Sequence, residues 1–107
     1  MEKVLERTGR QISRITVGDI EINLNEHQVT KNGQEVSLKP LEYDLLVLLA
    51  KNKNMAFTRE QLLNQVWGSD YLGETRTVDV HIGQLRKKLE LFDVIKTIPK
   101  IGYRLED

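Results

Sequence analysis

Between Arg76 and Phe92 the chain reads R-T-V-D-V-H-I-G-Q-L-R-K-K-L-E-L-F, and this stretch constrains the fold most. Val78, Ile82, Leu85, Leu89 and Phe92 recur at steps of four, three, four and three. At about 100° per residue such steps return each side chain to one face of an α-helix. All five are expected to lie on one stripe against a core. Opposite that stripe fall Arg76, Val80, Gly83, Gln84 and Lys87, with Arg86 and Lys88 flanking it. The outward face is basic, lightly built at Val80 and Gly83, and carries an amide at Gln84. The major groove of duplex DNA admits such a helix, and so does plain solvent. This stretch alone leaves both readings open.

The charge distribution bears on the choice. The chain of 107 residues holds 16 Lys/Arg and 16 Asp/Glu, a formal net charge of zero. From Arg76 to Arg104, however, seven Lys/Arg stand against three Asp/Glu, net +4, and the remainder is net −4. A polyanion responds to the local field, because charges more than about 10 Å away are largely screened. The basic end therefore supports a nucleic-acid face. The length allows one domain with one modest core. The absence of cysteine excludes disulfides, thiolate metal sites and a cysteine nucleophile, and fits a cytoplasmic protein. No apolar run is long enough for a membrane span, and the first ten residues lack the apolar core of a signal peptide.

Residues 1–14 are polar and charged and read as a linker or disordered tail; residues 15–107 read as the folded domain. From Ile15 to Leu38 the apolar period is two. Ile15 and Val17, then Ile20, Ile22 and Leu24, then Val29, then Val36 and Leu38 mark four strands. Gly18-Asp19, Asn25-Glu26 and Asn32-Gly33 mark the turns, the last being the strongest hairpin signal. Pro40 suits the first position of a helix and Glu42 its first turn. Leu41, Tyr43, Leu45, Leu46, Val47, Leu48 and Leu49 make that helix apolar almost all round, hence central. Lys51-Asn52-Lys53-Asn54 ends it. Met55-Ala56-Phe57 is a short strand, and Thr58 with Gln61 forms a capping box for a helix carrying Leu62, Leu63, Val66 and Trp67, stopped by Gly68. Residues 68–75 form a loop in which Tyr71 and Leu72 either tuck back or meet a partner. Val94–Ile98 and Tyr103–Leu105 read as a hairpin turned by Pro99-Lys100-Ile101-Gly102. The order predicts an α+β fold: a winged helix-turn-helix with an N-terminal four-stranded antiparallel sheet, three helices and a C-terminal β-hairpin wing.

An enzyme lacks its parts here. There is no Gly-rich phosphate loop, no G-x-S-x-G and no H-E-x-x-H, so no catalytic residue is expected. His27 and His81 have no metal-ligand spacing, and neither metal nor cofactor is expected. A winged-helix protein-interaction module would keep the fold without the outward set Arg76, Arg86, Lys87, Lys88, Lys96 and Lys100. Asp79 is expected to be structural, near the helix amino terminus where the dipole favours an anion. Gly83 costs about 1 kcal/mol relative to alanine within a helix, which either a close approach or neutral drift explains. Trp67 is expected in the core, with its N–H free for phosphate.

T-R-E-Q-L-L-N-Q-V-W-G, R-T-V-D-V-H-I-G-Q-L-R-K-K-L and I-G-Y-R-L, preceded by L-K-P-L-E-Y-D-L-L, resemble the C-terminal DNA-binding effector domain of OmpR/PhoB-type response regulators. The resemblance runs from about Ile15 to Leu105. It implies sequence-specific binding of double-stranded DNA as part of a bacterial two-component system that controls transcription. It also implies a covalently linked receiver domain in the full-length protein, with residues 1–14 as the tail of the linker, and a tandem direct repeat as the target. The isolated domain is expected to be a monomer. The recognition helix, residues 76–92, would enter the major groove, and the wing, 95–105, the adjacent backbone or minor groove. Arg76, Thr77, Val80, His81 and Gln84 match the positions that face bases or the groove. Arg59, Trp67, Arg86, Lys87 and Lys100 match positions for phosphate. Asp70, Tyr71 and Leu72 match the loop, 68–75, that contacts RNA polymerase in some members. Two departures stand out. The family often has basic residues where Gly83 and Gln84 stand, and its wing reads V-R-G-x-G-Y where this chain has I-P-K-I-G-Y. Pro99 thus occupies the place of the minor-groove arginine, and Lys100, one residue later and without a planar guanidinium, is the nearest basic side chain.

Overall fold

The computed structural model describes residues 13–68, 70–71 and 73–107. Of the tail expected over residues 1–14, residues 1–12 lie outside the described residues, as does Leu72. The first strand begins at Arg14, one residue before the expected domain start.

Strands β1 (Arg14–Val17), β2 (Ile20–Asn23), β3 (Gln28–Lys31) and β4 (Gln34–Val36) form an antiparallel meander in chain order. Ile15, Val17, Ile20, Ile22 and Val29 point inward and are buried, while Arg14 and Thr16 face outward. Cross-strand partners Val17↔Ile20 and Ile22↔Val29 keep this alternation in register. The β3–β4 turn takes positive φ at Asn32 and Gly33, the conformation that Asn-Gly permits. Leu38, expected in the fourth strand, lies beyond its end and packs half-buried against the core.

Helix α1 (Pro40–Lys51) covers the inner face of this sheet. Its Leu45, Leu46 and Leu49 have no exposed surface. The Lys39 N–H donates to Glu42 Oε1 at 3.0 Å, satisfying one free amide at the helix start. β5 (Ala56–Thr58) runs one residue later than expected, leaving Met55 exposed. The capping box forms: Gln61 N–H donates to Thr58 Oγ1 at 3.0 Å, and Thr58 N–H to Gln61 Oε1 at 2.8 Å. α2 (Arg59–Leu62) then widens through Leu63–Trp67, where Gly68 N–H reaches back five residues to the Leu63 carbonyl at 3.2 Å.

α3 (Arg76–Leu89) presents Val78, Ile82, Leu85 and Leu89 to the core with no exposed surface. Each such burial is worth roughly 1.5–3 kcal/mol, enough to fix the helix's rotation about its axis. Phe92, expected as the fifth member of the stripe, is 63% exposed, which corrects that reading. The helix ends at Leu89 because Glu90 adopts φ +56°, and Leu91 N–H returns to the Arg86 carbonyl at 3.0 Å. This left-handed termination breaks the helical phase, turning Leu91 inward and Phe92 outward.

The wing consists of β6 (Ile95–Ile98) and β7 (Gly102–Leu105), and β7 also pairs with β5, giving the order β5-β7-β6. A side chain at Gly102 would run into the Phe57 carbonyl oxygen, so only glycine lets β5 and β7 approach there. Both sheets and all helices share one hydrophobic core.

Candidate nucleic-acid interface

The inward stripe leaves Arg76, Val80, Gly83, Gln84 and Lys87 on the outer face of α3, all exposed. Val80 keeps 54% of its surface, and nothing stands within 4 Å of where a Gly83 Cβ would lie. The face is therefore open along its length. Arg76 also borders a depression lined by Arg59, Glu74, Thr75 and Asp79 at the start of the helix.

Thr77 and His81 sit half-buried at the side of this face. His81 Nδ1 lies 2.8 Å from the Thr77 carbonyl oxygen, one helical turn back. A carbonyl can only accept, so Nδ1 donates and Nε2 is the nitrogen left for another partner. The Trp67 ring meets the His81 ring edge-on at 5.0 Å and the Tyr71 ring at 6.4 Å. Trp67, expected in the core, is half-buried and packs against it, between His81 of α3 and Tyr71. Asp70 is exposed and Tyr71 is 38% exposed.

Arg59 and Arg86 have partners inside the protein. Arg59 Nε donates to Asp79 Oδ1 at 2.7 Å, and the Tyr103 hydroxyl donates to the same oxygen at 2.6 Å. Arg86 donates to the Ile95 carbonyl from Nε (3.2 Å) and Nη2 (2.8 Å), and to Thr97 Oγ1 at 2.8 Å. Both guanidiniums lie near the Tyr103 ring, 5.3 Å and 5.4 Å from its centroid. Asp79, expected to be structural, therefore joins α2, α3 and the wing. Burial raises its carboxyl, but the Tyr103 and Arg59 hydrogen bonds and the Arg59 and Arg76 charges outweigh this and hold it below the ordinary aspartate value. Burial and the bond to Asp79 push the Tyr103 hydroxyl above the ordinary tyrosine value.

Lys88 likewise turns away from the outer face. Its Nζ donates to Glu42 Oε1 at 2.7 Å, and Glu42 is 1% exposed. Burial raises the Glu42 carboxyl, and the Lys88 and Lys39 hydrogen bonds reverse that and leave it lowered. Lys87, one residue earlier, is exposed with no hydrogen bond or ion pair among the described residues. Lys100 stands exposed at the wing tip, with φ +66° and Ile101 N–H closing the turn on the Ile98 carbonyl at 3.0 Å.

Reasoning from sequence missed Tyr103 and Glu42 as parts of this assembly. For Tyr103 the available signal was its place one residue after a β-strand glycine. For Glu42 there was no distinguishing signal: Asp44 on the same helix is a second carboxylate, expected like Glu42 at the helix surface, and only Asp44 is exposed. Among the described residues no three His, Cys, Asp or Glu gather as a metal site, and no helix is long and apolar enough to cross a membrane.

Comparison with known proteins agrees with this geometry. The family model described as "Transcriptional regulatory protein, C terminal" matches residues 33–105. The DNA-binding response regulator MtrA of Mycolicibacterium smegmatis is 44% identical over 94 residues, 84% of this chain and 41% of that protein. The chain thus spans about two-fifths of the length of the curated relatives it matches. The response regulator DrrB, a Thermotoga maritima OmpR/PhoB homologue, superposes with a TM-score of 0.82 at 30% identity, covering 89% of this chain and 45% of that one. The Klebsiella pneumoniae RstA DNA-binding domain, solved in complex with the RstA box, superposes with a TM-score of 0.78 at 34% identity, covering 89% of this chain and 98% of that one. The open face of α3, the wing beside it and these matches together show that the chain belongs to the family of OmpR/PhoB-type transcriptional regulator C-terminal domains, the winged-helix DNA-binding effector domains of response regulators.

Proposed function

We propose that the domain binds double-stranded DNA in a sequence-specific manner and controls transcription within a longer response regulator whose receiver domain is linked to it. The observation that carries this reading is the unobstructed outer face of α3, where Arg76, Val80, Gly83, Gln84 and Lys87 stand exposed. α3 lies in the major groove, with Thr77 and His81 at its edge. Gln84 offers the donor and acceptor pair that suits adenine, an interaction worth about 1–3 kcal/mol of discrimination. Lys87 and Lys100 meet phosphates, and Trp67 offers its indole N–H to another. Arg59 and Arg86 reach phosphate only with whatever donors their internal bonds leave free. The wing, with Pro99 and Lys100 at its tip, touches the adjacent backbone rather than reading the minor groove.

The same reading has the domain acting by binding and not as an enzyme, in the cytoplasm, as a monomer when isolated. Its target is a tandem direct repeat, and the 68–75 loop, through Asp70 and Tyr71, touches RNA polymerase. Selection of bound sites from random duplexes tests the core of it. An enriched motif with half-sites in tandem is the expected result. Duplex affinity without salt dependence or sequence preference would refute it.

A further inference from the structure

We infer that Tyr103 is a positioning residue that sets the angle of the wing against α3, so that wing tip and helix engage one duplex together. The inference rests on the reading of the domain as a DNA binder. Tyr103 lies on β7, the middle strand of the wing sheet, and is only 4% exposed, too covered to touch DNA itself. Its hydroxyl donates to Asp79 Oδ1 at 2.6 Å, and Asp79 sits in the first turn of α3 beside Arg76 and Thr77. Arg86, further along α3, lies 5.4 Å from the Tyr103 ring centroid and holds the Ile95 carbonyl and Thr97 Oγ1 of β6. Backbone pairing with β5 supplies a third attachment, Phe57↔Tyr103.

These attachments act at different points along and across the hairpin, which is the condition for preventing it from rocking. The tip at Lys100 is three residues from Tyr103, at most about 10 Å even for a fully extended chain. A rotation of about 10° at Tyr103 would move the tip by roughly 1–2 Å, more than a hydrogen bond to phosphate tolerates. The hydroxyl-to-Asp79 bond is the attachment that ties the wing to the first turn of α3, and with it the angle at which Lys100 meets phosphate while α3 is seated.

A double-mutant cycle tests this on the duplex obtained by selection. In the wild-type chain, Lys100→Ala should weaken binding about fivefold through loss of one phosphate contact. In Tyr103→Phe, which keeps the ring and removes only the hydroxyl, Lys100→Ala should change affinity by less than about twofold. Asp79→Asn, which weakens the same bond from the other side, should show the same loss of effect. Equal Lys100→Ala penalties in all backgrounds, even with a lowered melting temperature in Tyr103→Phe, would reduce Tyr103 to a packing role and overturn the inference. So would a wild-type chain that binds duplex but is indifferent to Lys100→Ala. A wild-type chain with no salt-dependent duplex affinity would overturn the DNA reading itself, an outcome distinct from additivity in a chain that binds.

Discussion

Asp79 Oδ1 takes two hydrogen bonds, from the Tyr103 hydroxyl at 2.6 Å and Arg59 Nε at 2.7 Å, so one oxygen joins α2, α3 and the wing. Asp79→Ala leaves the buried phenol and the half-buried guanidinium without their shared acceptor. The expected loss is about 1–3 kcal/mol of unfolding free energy, the cost of stranding such donors. A urea titration of wild type and variant measures it; an unchanged midpoint with an unchanged slope would show that water replaces the carboxylate without penalty.

Acid should weaken the fold through Glu42. Its folded carboxyl is held below the ordinary glutamate value of 4.5, so the unfolded chain takes up that proton at higher pH than the folded one. The stabilisation is fully present above about pH 5 and is lost as pH falls through the lower folded value. Asp79, lowered for like reasons, acts in the same direction. Denaturant midpoints should fall between pH 5 and pH 3 in the wild type and less steeply in Glu42→Gln. Parallel curves for the two chains would assign the acid sensitivity elsewhere.

Neighbouring lysines should separate binding from stability. Lys87 is exposed, whereas Lys88 donates to the buried Glu42 carboxylate at 2.7 Å. Lys87→Ala is expected to weaken binding to all duplexes, to lower the salt slope by roughly one unit, and to leave stability within about 0.5 kcal/mol. Lys88→Met should cost about 1–3 kcal/mol of stability by stranding Glu42, with the salt slope unchanged. Fluorescence anisotropy across a salt series, with a melt of each variant, reads both quantities.

Two glycines should behave oppositely. Gly102→Ala drives a methyl group into the Phe57 carbonyl oxygen and is expected to cost about 1–3 kcal/mol or more. Gly83→Ala meets nothing within 4 Å and should stabilise the helix by about 0.5–1 kcal/mol. If that stabilised chain loses duplex affinity, DNA approaches α3 closely at Gly83; if affinity is retained, the glycine has no role in contact.

Local rules carried much of the architecture. Alternation placed the four N-terminal strands because Ile15, Val17, Ile20, Ile22 and Val29 need one buried face, and Asn32-Gly33 fixed the register between two of them. The Thr58–Gln61 box and the α3 stripe through Leu89 are likewise short-range patterns. Phe92 shows where periodicity ends: the stripe continues on paper, but the left-handed turn at Glu90, a non-glycine residue with no sequence signal for it, takes the chain out of phase. The outer face of α3 was legible for the same reason as the inner one. The inward-turned cations were not. Whether Arg59, Arg86 and Lys88 meet DNA or protein depends on Asp79 of α3, on Tyr103, Ile95 and Thr97 of the wing, and on Glu42 of α1. Such pairings appear only once the helices have been packed.

Thr58 belongs at once to the end of β5 and to the cap of α2, and β5 is hydrogen-bonded along the wing's central strand. The helix-turn-helix and the wing are therefore joined through the backbone itself. On the proposed DNA-binding reading they form a ruler of fixed span, and the duplex must supply the matching distance between the groove that takes α3 and the phosphates that meet Lys100. A site with ideal bases but the wrong local twist or groove width would be rejected by geometry alone, so the stiffness of DNA between the contacted base pairs becomes part of the address.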